Sequence, residues 1–249
     1  MKSLLIYSIS LLSIVLAESI ELDSGFIIEN YKVERYEKFV DILIISINPD
    51  KYDLEIFNSS DKNASLKDIS SENGYVLIFN AGMFDVDYKT SMGYMKNNGE
   101  ILNSRNHPNY ESLMVFNPNV DNIPSFYIYD SDETSFDSII KQYDSVVENL
   151  RLIKRPGINR WPKQEKRWSE IAIGQDIDDN IIVIYCNSML SMFELNEILL
   201  SLPIQLQASQ HLEGNSLAQL YLKMNKYEIN HDNNLYVPNL IGVRPRSRD

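Results

Sequence analysis

Residues 74–99, GYVLIFNAGMFDVDYKTSMGYMKNNG, decide how this chain is read. Tyr75-Val76-Leu77-Ile78-Phe79 has the length and the β-branched and aromatic make-up of a buried strand. It breaks at Asn80-Ala81-Gly82 and runs on to Met83-Phe84-Asp85, with Asp87 two residues further. A strand ending in Asn-x-Gly followed by acids gathers a carboxamide, backbone amides and carboxylates at one strand end. Gly82 there allows a close backbone approach that a side chain would block. Asn and Gly also dominate ordinary turns, so a strand followed by a structural turn fits the same letters.

Upstream, the chain opens as a leader. Lys2 precedes an apolar run over residues 4–16, and Ala17 is a small residue at the point of cleavage. This is the layout of a signal peptide covering residues 1–17. The run is shorter than the ~18–20 residues that span a bilayer. The expectation is an exported protein, periplasmic or extracellular, with no stable membrane insertion once the leader is removed.

Composition narrows the class. The 249 residues are 44% hydrophobic, enough for one sizeable core, and carry a formal net charge of −12. That charge disfavours nonspecific binding to nucleic acid. One cysteine, Cys186, excludes an intrachain disulfide and reads as a buried thiol. His107, His211 and His231 are far apart and show no metal-ligand spacing. No cofactor is expected.

Most of the rest reads as strands: 40–48, 52–57, 113–116, 125–129, 170–175, 181–186, 204–208, 217–223 and 236–243. Residues 58–73 read as a polar loop with room for one helical turn. The spacing of Phe136, Ile139, Ile140, Tyr143 and Val147 predicts a helix over 135–147. Ser191 with Glu194 forms a capping box that starts a second helix over 191–202, stopped by Pro203. Residues 176–180 link two strands as a hairpin. The helices follow runs of strands and do not alternate with them. The predicted fold is α+β: a mainly antiparallel or mixed sheet with two principal helices, in a single domain over 18–249.

Two further clusters could carry chemistry. Leu212-Glu213-Gly214-Asn215 repeats an acid beside a glycine at a strand end, where backbone can approach a ligand. Residues 151–167 hold Arg151, Lys154, Arg155, Arg160, Lys163, Lys166 and Arg167 against one acid, Glu165. Arginine forks match phosphate or carboxylate oxygens. Trp161 and Trp168 lie within or beside this stretch and suit a sugar ring linked to an anion. A solvated basic loop balancing nearby acids is the plainer alternative.

Several blocks in order resemble the phosphodiester glycosidase family. They are Asn80-Ala81-Gly82-Met83-Phe84, Ser91-Met92-Gly93-Tyr94 with Asn98-Gly99, Leu150-Arg151-Leu152-Ile153, Glu170-Ile171-Ala172-Ile173-Gly174 and His211-Leu212-Glu213-Gly214. They span about residues 74–221. The chain departs from the family pattern in three places. Met92 stands where a proline is frequent, Glu170 where an arginine is usual, and Glu213-Gly214-Asn215 where the family shows Asp-Gly-Gly.

The resemblance implies hydrolysis of a sugar phosphodiester at the anomeric carbon. Phosphate leaves readily, so one carboxylate activating water suffices. In that scheme Glu213 is base or nucleophile and Glu170 or Asp85 a second carboxylate. Arg151 and Arg167 hold the anion, and Asn80 and the Gly82 amide donate hydrogen bonds. Trp161, Trp168 and His211 complete the substrate-binding set. The ligand is then a sugar phosphate or glycan. Two other classes fit the residues. One is a noncatalytic glycan- or cell-wall-binding module. The other is a structural protein stabilised by a divalent cation on Asp85, Asp87 and Glu213.

Overall fold

The computed structural model describes residues 13–35, 38–59 and 63–247. Most of the expected leader lies outside the described residues; the backbone of 13–17 begins the first strand. In chain order the elements are β1 (Ser13–Asp23), β2 (Phe26–Arg35), β3 (Lys38–Ile47), β4 (Tyr52–Asn58), α1 (Leu66–Asn73) and β5 (Leu77–Asn80). There follow β6 (Met95–Asn97), β7 (Glu100–Asn103), β8 (Glu111–Pro118), β9 (Phe126–Asp130), α2 (Phe136–Gln142), β10 (Tyr143–Lys154) and β11 (Ile158–Asn159). The last are β12 (Trp168–Asp176), β13 (Ile181–Leu190), α3 (Met192–Ser201), β14 (Leu206–Gly214), β15 (Leu220–Met224), β16 (Tyr227–His231) and β17 (Asn239–Pro245).

The strands form two antiparallel sheets. The larger runs β1-β2-β3-β13-β12-β14-β10-β6-β7, with β8, β9 and β11 attached through β10. The smaller runs β16-β15-β5-β17-β4. Period-two alternation sorts the side chains between layers. Leu43, Ile45 and Ile47 of β3 join Leu77 and Phe79 of β5 in the core between the sheets. Ile42 and Ile44 face the opposite way and pack with Leu195, Ile198 and Leu199 of α3. On the outer face of the small sheet, Leu66 and Ile69 of α1 pack on Ile78 and Tyr221. The result is a sheet pair with helices on the outside, consistent with an α+β fold. Among the described residues no helix is long and apolar enough to cross a membrane.

The expectation of two principal helices needs correction, because the described residues hold three α-helices. The capping box is present: Glu194 N donates to Ser191 Oγ at 3.2 Å, and Ser191 N donates to Glu194 Oε2 at 3.0 Å. Residues 66–73 form α1, capped by Ser65, whose Oγ accepts from Asp68 N, and closed by Gly74 at φ 69°. That left-handed position suits glycine. The predicted 135–147 helix ends at Gln142, and Tyr143–Lys154 is a strand paired with β8, β6 and β14. A spacing of four satisfies both a helix and a strand, so Tyr143 and Val147 could not tell the two apart. Val146 and Val147, both β-branched, favour the strand, and residues 145–149 are buried on both faces.

Candidate functional site

β14 runs between β12 and β10 and carries Ser209, Gln210 and His211, all buried. Its register with β12 jumps from Ile171↔Glu213 to Ala172↔His211, so Leu212 is an extra residue. A bulge of this kind re-aims the neighbouring side chains. His211 Nδ1 hydrogen-bonds Glu170 Oε1, and both groups are buried. Trp168 Nε1 donates to the other Glu170 oxygen at 3.2 Å. A Cβ at Gly214 would lie 3.1 Å from the Ser169 carbonyl oxygen and 3.2 Å from the Trp168 ring, so glycine lets β14 close on that indole. Three sequence-predicted residues, Glu170, His211 and Trp168, thus form one contact network beside Glu213.

Burial pushes the Glu170 carboxyl up, against the pull of His211. Burial alone would draw the His211 imidazole down, but the Glu170 carboxylate outweighs it and holds the imidazole up. Glu213 is half-buried, and its Oε1 accepts from Gly214 N at 3.0 Å. Burial raises its carboxyl above the usual 4.5, Glu170 adds to the rise, and the Gly214 amide and His211 oppose it.

The Asn80 segment meets this corner through backbone contacts. Asn80 Nδ2 donates to the Leu217 carbonyl at 2.9 Å, and Asn80 Oδ1 accepts from Gln219 N at 2.7 Å. Its carboxamide therefore ties β5 to the chain just past Glu213. These contacts are structural. A Cβ at Gly82 would lie 3.1 Å from Asn149 Nδ2, which donates to the Leu212 carbonyl at 3.5 Å. Asn149 thereby links the two segments. Asp85 accepts from Val86 N, and Asp87 accepts from Lys89 N, Thr90 N and Thr90 Oγ1. These acids build a turn in which Asp87 is exposed and Asp85 half-buried. Among the described residues no cluster of His, Cys, Asp and Glu has the geometry to hold a metal ion.

The cations of the 151–167 stretch meet acids and rings of the same chain. Arg151 pairs with Glu111 at 2.5 Å, Asp130 at 3.2 Å and Asp132 at 2.6 Å. Lys154 pairs with Asp132 and Glu133, both at 2.7 Å. Arg155 lies over the Tyr127 ring, and Arg167 pairs with Glu194 at 2.7 Å. Trp161 packs at the edge of the α3 core and donates to the Arg151 carbonyl at 2.7 Å. Arg151, Arg167 and Trp161 thus all make contacts within the fold.

Four residues outside the expected site set, Glu148, His107, Tyr110 and Arg105, lie in this neighbourhood. Glu148 is buried and accepts from Tyr94 N and His107 N, both at 2.9 Å, which fastens the 104–110 loop. His107 stacks on the Tyr110 ring, centroids 3.9 Å apart. Tyr110 is buried, and its hydroxyl has no hydrogen-bond partner among the described residues. Burial, helped by the charges of Glu148 and Glu213, pushes this phenol up to about 12, while Arg105 acts in the opposite sense. Tyr110 thus shares an electrostatic neighbourhood with Glu213 and Arg105. Arg105 is exposed and forms no ion pair among the described residues. The only sequence signal for this set is the block that ends in Gly93-Tyr94. Gly93 is needed there because a Cβ would meet the Glu148 carbonyl at 2.5 Å and the Tyr110 ring at 2.9 Å.

No curated protein sequence matches the chain. Among solved structures, a hypothetical protein from Synechocystis superposes with a TM-score of 0.70 at 13% identity, over 93% of this chain. This chain spans 64% of the Synechocystis protein's length. The zebrafish N-acetylglucosamine-1-phosphodiester alpha-N-acetylglucosaminidase catalytic domain, auto-inhibited by pro-peptide, superposes with a TM-score of 0.61 at 12% identity. That match covers 96% of this chain and 86% of the zebrafish one. At these identities the likeness is one of fold. The phosphodiester glycosidase family profile matches residues 73–244, well over half of the chain, and the protein belongs to that family.

Proposed function

We propose that this protein hydrolyses a sugar phosphodiester at the anomeric carbon, with Glu213 as the activating carboxylate. The observation that carries this reading is the placement of Glu213 at a bulged strand end, half-buried, with its carboxyl raised and an unpartnered phenol nearby. A carboxylate whose proton affinity is raised toward neutrality is the stronger base at the working pH. Glu213 takes a proton from water, and the water oxygen bonds to the anomeric carbon. The bond from that carbon to the phosphate oxygen breaks, and its electron pair leaves on the phosphomonoester. The His211–Glu170 pair and Trp168 hold the strand end that carries Glu213. Arg105, exposed and without an ion pair among the described residues, is free to donate to the phosphate oxygens. The reading is supported by the name of the zebrafish enzyme of similar fold, an N-acetylglucosamine-1-phosphodiester glycosidase.

Export is part of the proposal and rests on the apolar run behind Lys2. Cleavage after Ala17 leaves residues 18–23 of β1 on β2. A noncatalytic glycan-binding module is the second reading, favoured by the internal pairing of Arg151 and Arg167.

Hydrolysis of N-acetylglucosamine 1-(methyl phosphate) in ¹⁸O-labelled water tests the bond assignment. The expected outcome is label on the free sugar and unlabelled methyl phosphate. Label in the phosphate would make the protein a phosphorus-attacking esterase, and binding without products would favour the module.

A further inference from the structure

At the level of Glu213 the large sheet carries one continuous row of opposed residues. Glu18 faces Asn30, Asn30 faces Leu43, Leu43 faces Tyr185, Tyr185 faces Ile171, and Ile171 faces Glu213. Directly opposed residues of antiparallel strands put their side chains on the same face. Strands lie ~4.8 Å apart, so Tyr185 and Glu213 are separated by two intervals, ~10 Å. Ile171 between them is fully buried and has no polar group to offer.

The far end of that row opens into a cavity of about 360 Å³, lined by Glu18, Asn30, Leu43 and Tyr185 together with Asp41 and His231. Its size falls within the ~300–1,000 Å³ of small-molecule sites. His231 comes from the end of β16 in the other sheet and stacks on Tyr185, centroids 4.3 Å apart and planes 14° from parallel. Neither ring has a hydrogen-bond partner among the described residues, nor do the carboxylates of Glu18 and Asp41 or the carboxamide of Asn30. Carboxylates and a carboxamide around an aromatic wall suit a ring with hydroxyls on its edge and C–H groups on its face. The two carboxylates outnumber the one lysine of the lining, Lys32, whose ammonium lies over the Phe39 ring, so the cavity disfavours a phosphate.

We propose that the cavity walled by the Tyr185–His231 stack is a neutral-sugar subsite, aligned with Glu213 along one sheet row. The subsite rests on the hydrolase reading for its place in catalysis: it holds a sugar unit of the ligand distal to the phosphodiester. Its binding chemistry does not depend on turnover, and the two can fail separately.

Saturation-transfer NMR with maltose and with N,N′-diacetylchitobiose, each at millimolar concentration, tests it on the whole protein. The expected result is transfer to the ring protons of at least one disaccharide. Glu213→Gln keeps that binding, and His231→Ala and Asp41→Asn each weaken it roughly tenfold, the scale of a lost hydrogen bond or ring contact. Circular dichroism checks that the variants fold, and Tyr185→Phe, which removes only the hydroxyl, serves if His231→Ala does not. No transfer from either sugar to the wild type overturns the subsite, as does binding that survives all three cavity substitutions. Absence of hydrolysis by the wild type would remove the catalytic reading and leave this result standing.

Discussion

The corner built by Glu170, His211 and Glu213 and the cluster around Arg151 both stand out in the sequence by their charge, yet the fold treats them in opposite ways. In the corner, acids are drawn into a poorly solvated strand end and share one imidazole. Around Arg151, seven cations in a short stretch look like an anion site. The structure answers Arg151, Lys154 and Arg167 with Glu111, Asp130, Asp132, Glu133 and Glu194. A charged group is available to a ligand only if the fold leaves it unpaired. Density of charge along the chain measures something else.

Four substitutions break or sharpen that contrast. Glu213→Gln removes the activating carboxylate with little change of shape. Turnover should fall by ~10²–10⁴-fold with thermal unfolding unchanged, and a wild-type rate would take the corner out of the chemistry. Arg151→Met leaves Asp130 buried beside an apolar chain. Urea unfolding should show a loss of ~3 kcal/mol, with KM unchanged. A raised KM with intact stability would return Arg151 to the site and erase the distinction.

Arg105→Ala should do the reverse: KM for the phosphodiester rises roughly tenfold while stability stays within ~0.5 kcal/mol. The smallest effect is a slope. Glu170 and His211 are both raised, so the folded protein binds more protons than the unfolded chain, and their contribution to stability falls as pH rises. The decline begins at the ordinary carboxyl value, 4.5, and His211's share is full below 6.5 and lost as its raised value is passed. In Glu170→Gln burial, the largest influence on His211, draws it down against the remaining pull of Glu213, so its contribution rises with pH over the same window. Denaturant unfolding between about pH 5 and 8 should show the stability of wild type relative to the variant shrinking with pH. A gap that widens would contradict the pairing.

Local signals carried much of the architecture. The capping box at Ser191, the hairpin at 176–180 and the apolar runs of β3, β12 and β13 are short-range patterns that survive tertiary packing. β10 was misread because its apolar residues fall at a spacing common to strand and helix. Glu170, His211 and Glu213 stand out because they sit in motif blocks near strand ends, and Trp168 because it borders the basic stretch. The partners of Arg151 were not, since Glu111, Asp130 and Asp132 lie 19 to 40 residues earlier and nothing local ties them to it. Tyr110 was invisible for a similar reason. An unpartnered hydroxyl is a property of the surroundings that Gly93, His107 and Glu148 create, and no local pattern marks it.

The account stands on Glu213 being a proton-hungry carboxylate that a ligand can reach. Carbon-13 NMR of labelled glutamate side chains, with Glu213→Gln to assign the resonance, measures this directly. The account predicts a titration midpoint above 4.5 that shifts when N-acetylglucosamine 1-phosphate is added. A midpoint at or below 4.5 that ignores the sugar phosphate would contradict it.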